Sequence, residues 1–169
     1  MTSDLTLCKT LEALLEKIRE KRAFDENDWI SKKVKMFNDY MRQHGLKACV
    51  ISISGGVDSA VTLALCHRAM KQEGSPIQRV VAIAQPINST KEIWERALEL
   101  KFYDGVEIRI IDQSNLFEQL KTKVDESLSI KGGQFASGQL RSYMRTPVNY
   151  YAAQILSQEG TPAVVMGTG

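Results

Sequence analysis

The stretch Ser54-Gly55-Gly56-Val57-Asp58-Ser59 constrains this chain more than any other feature. It follows an apolar, strand-like run, Ala48-Cys49-Val50-Ile51-Ser52-Ile53, and leads straight into an apolar, helix-like segment. A strand, a glycine turn and a helix start in that order make a phosphate-binding turn. Two glycines let backbone N–H groups approach an anion without Cβ obstruction. The helix start adds unpaired N–H donors and a positive dipole end. The two serine hydroxyls can donate as well. Asp58 would repel a bare phosphate, so its natural companion is a divalent cation bridging carboxylate and phosphate oxygens. The competing reading is a tight strand–helix turn capped by a serine or aspartate.

The rest of the chain alternates strands and helices around that turn. Two helices come first. Leu7, Leu11, Leu14, Leu15 and Ile18 recur at helical spacing, and Asp25-Glu26-Asn27-Asp28 opens a second helix carrying Ile30, Val34, Phe37 and Met41, with Gly45 as its stop. Strands are expected at Ala48–Ile53, Arg79–Ala84, Val106–Ile111 and Ala163–Met166. Helices are expected over about Val57–Lys71, Ser89–Phe102 and Asn115–Leu128, then a glycine-rich loop Lys131–Gly138 and a further helical region. Pro147 either starts a helix or kinks a longer one. Strands apolar on both faces, separated by helices, imply an α/β fold with a doubly wound parallel sheet and two N-terminal helices. Right-handed crossovers put all strand C-termini on one edge. The loops Ser54–Ser59, Gln85–Thr90 and Gly167–Gly169 then converge on one crevice, where such folds bind ligands.

Composition narrows the class. With 169 residues, 43% hydrophobic and 25% charged, the chain is expected to form a single globular domain. A formal net charge of +2 gives no argument for nucleic acid or a membrane surface. Cys8, Cys49 and Cys66 lack metal-ligand spacing; Cys49 and Cys66 read as small core residues, which suits a reducing compartment. There is no signal-peptide pattern and no run of transmembrane length, so a cytoplasmic location is expected. His44 reads as surface, and His67 as facing away from the glycine turn. Trp29, Tyr40, Tyr150 and Tyr151 read as core or interface residues, and Lys32-Lys33-x-Lys35 as a solvated helix face.

Two familiar phosphate loops are excluded: no lysine follows the glycines, and no G-x-G-x-x-G follows a strand. The S-G-G-x-D-S turn instead resembles the PP-loop of the ATP pyrophosphatases, which cut ATP between its α and β phosphates. A second signal is Phe135-Ala136-Ser137-Gly138-Gln139-Leu140-Arg141-Ser142-Tyr143-Met144-Arg145, followed by Tyr150-Tyr151 and Val164-Val165-Met166-Gly167-Thr168-Gly169. With it, the chain from about Phe24 onward resembles the synthetase domain of ammonia-using NAD synthetases. That resemblance implies a Rossmann-like fold of the adenine nucleotide alpha hydrolase type. It implies that the carboxylate of deamido-NAD attacks the α-phosphate of ATP, after which ammonia displaces AMP. No protein nucleophile is needed, so no catalytic residue is expected; positioning and charge neutralisation suffice.

Carried over by position, Ser52, Ile53, Ser54, Gly55, Gly56, Val57, Asp58, Ser59 and Thr168 would bind ATP, and Asp58 would ligate Mg²⁺. The resemblance also implies a homodimer acting on small molecules only, namely ATP, deamido-NAD and ammonia, with neither nucleic acid nor membrane as partner. The family usually has Ala-Arg-x-Arg where this chain has Ser142-Tyr143-Met144-Arg145. Tyr143 therefore stands in place of an arginine that binds deamido-NAD, and Arg141 or Arg145 is the candidate to replace it. The family also continues past the Gly-Thr turn, with a second acidic Mg²⁺ ligand there, so a form missing its C-terminal part is expected. Two other readings compete. One is a catalytically incomplete ATP-binding or regulatory subunit. The other is a different PP-loop ligase, GMP synthetase-like or tRNA-modifying.

Overall fold

A computed structural model describes residues 9–90, 95–96 and 98–167. The chain divides into two compact units, Met1–Lys33 and Val34–Gly169, where the sequence reading expects one domain over 1–169. The division falls inside the second helix.

In the first unit, α1 (Lys9–Arg22) keeps Leu11, Leu14 and Ile18 exposed. The start of α2 (Glu26–Gln43) is fixed by local chemistry. Asp25 Oδ1 accepts the backbone N–H groups of Asn27 and Asp28, both at 2.9 Å, which makes it the N-cap. Phe24 and Trp29 bracket that cap with ring centroids 6.1 Å apart, the staple expected of apolar residues at those two positions.

The second unit is built on a four-stranded sheet in the order β3-β2-β1-β4, with β1 at Ala48–Ile53, β2 at Arg79–Ala84, β3 at Val106–Ile110 and β4 at Ala163–Met166. All neighbouring pairs are parallel, and Ala48 lies beside both Arg79 and Ala163. The chain passes from β1 to β2 and β3 on one side, then returns to place β4 on the other. The strand order therefore reverses at β1.

Helices cover both faces, as a doubly wound sheet requires. On one face α3 (Val57–Met70) packs on β1 and β2, bringing Cys66 against Cys49. On the other face α5 (Gln134–Gln158) sets Ala153 and Leu156 on Ala48, Val50, Val81 and Ile83. Cys49, Val50, Ile51, Val80 and Ala82 are fully buried. Each buried valine or isoleucine contributes about 1.5–3 kcal/mol. The free thiols of Cys49 and Cys66 are buried, as expected of core residues. The β3 edge is less covered: Ile110 is exposed, and Glu107 pairs with Arg79 and Arg109.

Asn38 anchors the second half of α2 to the end of α3. Its amide donates to Ala69 O at 3.1 Å and Gln72 Oε1 at 2.9 Å, and Ser75 Oγ donates back to its Oδ1 at 3.1 Å. α2 ends at Gln43, and Gly45 just beyond it, with a φ of +65°, is the expected stop.

Two expectations are corrected and one pair of alternatives is decided. Lys131–Gly138 is not all loop, because α5 begins at Gln134 after an extended Gly133 and runs through Gly138. Of the two readings of Pro147, the start of a helix and a place within a longer one, the second holds: it sits inside that 25-residue helix, where it cannot donate to the carbonyl of Tyr143. Trp29, Tyr40, Tyr150 and Tyr151 are all exposed, so none belongs to the core. The helix expected over Ser89–Phe102 lies partly outside the described residues. Those described are helical at 95, 96 and 98, with a 3-10 turn at Glu99–Phe102.

Candidate functional site

The turn Ser54–Ser59 leaves the C-terminal end of β1, the strand at which the order reverses. Doubly wound folds bind ligands at that switch point. Gly55 adopts φ +79°, a conformation that side chains with a Cβ resist. Gly56, extended at φ −86° and ψ 160°, is the N-cap of α3, and no side chain among the described residues caps that helix. The first-turn N–H groups at Val57, Asp58 and Ser59 have no intrahelical acceptor and lie at the positive end of the helix dipole.

The serines shape the turn. Ser59 is buried, and its Oγ accepts from the backbone N–H of Ser54 at 3.3 Å and donates to Gly56 O at 3.0 Å. The N–H of Gly56 donates to Ser54 Oγ at 3.3 Å. Ser54 itself is exposed, as are Val57 and Asp58. A cleft of about 250 Å³ opens beside the turn, lined by Gly55, Gly56, Val57, Ala60, Arg96, Glu99 and Leu100. That is below the roughly 300–1,000 Å³ of a site enclosing a whole drug-sized ligand, and it suits a phosphate chain.

Asp58 offers hard carboxylate oxygens in the first turn of α3, exposed and with no ion pair among the described residues. A Mg²⁺ ion bound through one carboxylate and the phosphates of a ligand would fit there. No group of three His, Cys, Asp or Glu among the described residues could hold a metal ion by protein ligands alone.

Of the other ATP-site candidates, Ile53 is buried, so only its backbone can face a ligand. Thr168 lies outside the described residues. Gly167 is exposed just past β4, whose last residue Met166 lies beside Ile51. Ser52 points its hydroxyl to the α5 face. There it donates to Asn149 Oδ1 at 3.1 Å and accepts from Asn149 Nδ2 and Gln85 Nε2, both at 2.7 Å. Gln85 also donates to Asn149 Oδ1 at 2.9 Å and accepts from Gln113 Nε2 at 2.7 Å. Gln85, Gln113 and Asn149 are all buried.

The α5 candidates do not group as expected. Arg141 and Arg145 lie one turn apart on the helix stripe that continues through Asn149 to Ala153 and Leu156. Tyr143 is off that stripe and exposed. Arg141 lies over the Phe117 ring, 4.9 Å from its centroid, and its buried Nε has no hydrogen-bond partner among the described residues. Phe117 belongs to α4 (Ser114–Leu128), which packs on α5 through Ile87, Leu140 and Met144. Arg145 donates from Nη1 to Arg141 O at 2.9 Å. Burial, and then the neighbouring Arg141 charge, lower the proton affinity of its guanidinium.

His67 stands away from the turn, 3.1 Å from Asp104 O and against Tyr103. Residue-level reading missed Arg96 and the Gln85–Gln113–Asn149 amides. None of them sits in a recognisable motif; the only signal was the placement of Gln85 in the loop after β2.

Comparison with known proteins bears on the family and the fold. The protein-family model described as NAD synthase matches residues 29–169. The NH(3)-dependent NAD(+) synthetase of Methanosarcina mazei is 30% identical over 138 residues, covering 80% of this chain and 49% of the relative. That of Pyrobaculum aerophilum is 31% identical over 134 residues, covering 78% and 45%. The chain thus spans about half the length of the curated relatives it matches. Among solved structures, the NH3-dependent NAD synthetase from Campylobacter jejuni superposes with a TM-score of 0.72 at 22% identity, covering 86% of this chain and 57% of that one. The NMN synthetase from Francisella tularensis gives 0.70 at 22% identity, covering 86% and 55%. At that identity these structures establish the shared fold.

Proposed function

We propose that this chain, which belongs to the NAD synthase family, binds ATP at Ser54–Ser59 and takes part in the ATP-dependent amidation of deamido-NAD to NAD. The observation that supports this most is the uncapped start of α3 behind Gly55 and Gly56, at the strand where the sheet order reverses. Family membership leaves the GMP synthetase-like and tRNA-modifying readings without support.

In this reading the N–H groups of Gly55 and of the first turn of α3 hold the phosphates of ATP. The Ser54 hydroxyl adds a donor from the exposed side. Mg²⁺ bound at Asp58 would neutralise phosphate charge and so favour departure of pyrophosphate. The carboxylate of deamido-NAD attacks the α-phosphate, the α–β bond breaks, and an acyl-adenylate and pyrophosphate result. Ammonia then attacks the acyl carbon and AMP leaves, giving the amide. The chain's part is alignment of substrates that supply their own nucleophiles.

Arg141 and Arg145 are the residues proposed to meet deamido-NAD. Two guanidiniums on successive turns, both partly buried, favour an anion between or beside them. Thr168 is proposed as an ATP contact. The exposed aromatics of α5, Phe135, Tyr143, Tyr150 and Tyr151, suit a homodimer interface. Buried free thiols suit the cytoplasm, and among the described residues no helix is long and apolar enough to cross a membrane.

The test is turnover. Protein incubated with ATP, deamido-NAD, an ammonium salt and Mg²⁺ is expected to form AMP and NAD in equal amounts. ADP in place of AMP, or no dependence of ATP cleavage on deamido-NAD, would refute the reading.

A further inference from the structure

The amide cluster below the crevice joins elements far apart in the chain. Ser52 is the next-to-last residue of β1, Gln85 follows β2, Gln113 precedes α4, and Asn149 lies near the middle of α5. Gln85, at its centre, is fully satisfied within it. Both N–H groups of Gln85 are used, on Ser52 Oγ and Asn149 Oδ1, and its Oε1 takes Gln113. A buried polar network satisfied in this way holds one geometry, because any shift leaves an orphaned group.

Its position gives that geometry a use. After α5 the chain enters β4 beside the start of β1, where Pro162 O accepts from Lys47 N and Ala48 N. The helix therefore runs opposite to the strands, and each turn before the one that carries Asn149 lies further toward and past the C-terminal edge of the sheet. Arg145 is one turn, about 5.4 Å, further out along the same stripe. On the strand side, Ser54 is two residues past Ser52. One cluster thus ties down both the base of the phosphate turn and the helix turn that carries Arg145.

We infer that Asn149 is a positioning residue: through Ser52 and Gln85 it sets where Arg145 stands relative to the phosphate turn. This inference rests on the reading of Arg145 as a ligand for deamido-NAD. Asn149 touches neither substrate. Its removal displaces α5 at the edge while the turn itself, held by Ser54, Gly56 and Ser59, remains formed.

The test measures binding of ATP with Mg²⁺, and of deamido-NAD in the presence of a non-hydrolysable ATP analogue, by calorimetry, alongside thermal unfolding. Asn149→Leu is expected to weaken deamido-NAD at least tenfold and ATP less than threefold. Asn149→Asp keeps the acceptor that Ser52 and Gln85 use, so it is expected to recover deamido-NAD affinity to within threefold of the parent, even if Asn149→Leu unfolds. In an Arg145→Ala background, Asn149→Asp and Asn149→Leu are expected to leave deamido-NAD affinity within threefold of Arg145→Ala alone. Parallel loss of both ligands in Asn149→Leu, or additive losses in the double variants, would mark Asn149 as structural and overturn the inference alone. A parent protein that binds ATP but not deamido-NAD would refute the proposed function and the inference together.

Discussion

The hydroxyl of Ser59 accepts the backbone N–H of Ser54 across the glycine turn, at 3.3 Å. Ser59 is 5% exposed, so this bond closes the turn from inside while Ser54 stays open to solvent. Ser59→Ala removes it along with the bond to Gly56 O. The variant is expected to lose about 1 kcal/mol of stability and to bind ATP several-fold more weakly. Chemical unfolding and ATP titration check both. Unchanged values for both would show that the bond does not shape the turn.

The two glycines are expected to fail differently. Alanine at Gly55 must adopt φ +79°, at a cost of about 1–3 kcal/mol, so the melting temperature falls. At Gly56, with φ −86°, the added Cβ meets only Ser54 Oγ at 3.3 Å, the end of a side chain that can turn away. Gly56→Ala is therefore expected to melt within about 0.5 kcal/mol of the parent, yet to bind ATP more weakly. Thermal melts with ATP titrations separate the two. Equal melting of the two variants would contradict the backbone argument.

At the β3 edge, Glu107 receives Arg79 through Nε at 2.8 Å and Nη2 at 3.0 Å, with Arg109 Nη2 at 2.9 Å. The hydrogen bond from Arg79 holds its carboxyl below the usual glutamate range. A lowered folded-state pKa means stability that is present above the unfolded pKa and lost as pH falls through the folded one. Glu107→Gln is expected to cost about 0.5–1 kcal/mol at neutral pH, partly screened by solvent. That difference should vanish at acid pH, below the folded-state pKa. Unfolding curves at neutral and acid pH test this, and a pH-independent difference would contradict it.

Much of this architecture is legible in the chain itself. The runs Ala48–Ile53, Arg79–Ala84 and Ala163–Met166 are apolar and bounded by glycine or proline, and each is a strand with the expected limits. The turn Ser54–Ser59 was legible because its chemistry is local, in glycines, hydroxyls and a helix start. Gly132-Gly133 and Gly138 read as a loop because glycine is a poor helix former. Packing of Leu140 and Met144 on Phe117 nevertheless carries the helix through Gly138. The grouping of Arg141 with Arg145, and the exclusion of Tyr143, needed the start of α5 to be known. The Ser52–Gln85–Gln113–Asn149 cluster was out of reach, since its members span 97 positions from Ser52 to Asn149 and meet only in the folded sheet.

The central claim is that Ser54–Ser59 is an ATP phosphate site completed by a cation at Asp58, and calorimetric titration of ATP with and without Mg²⁺ tests it most directly. The parent protein is expected to bind ATP, and Mg²⁺ to strengthen that binding. Asp58→Ala, at an exposed position, is expected to melt like the parent and to lose at least about tenfold in Mg²⁺-dependent affinity, roughly 1.4 kcal/mol. Unchanged ATP affinity in Asp58→Ala, in the presence of Mg²⁺, would contradict the account.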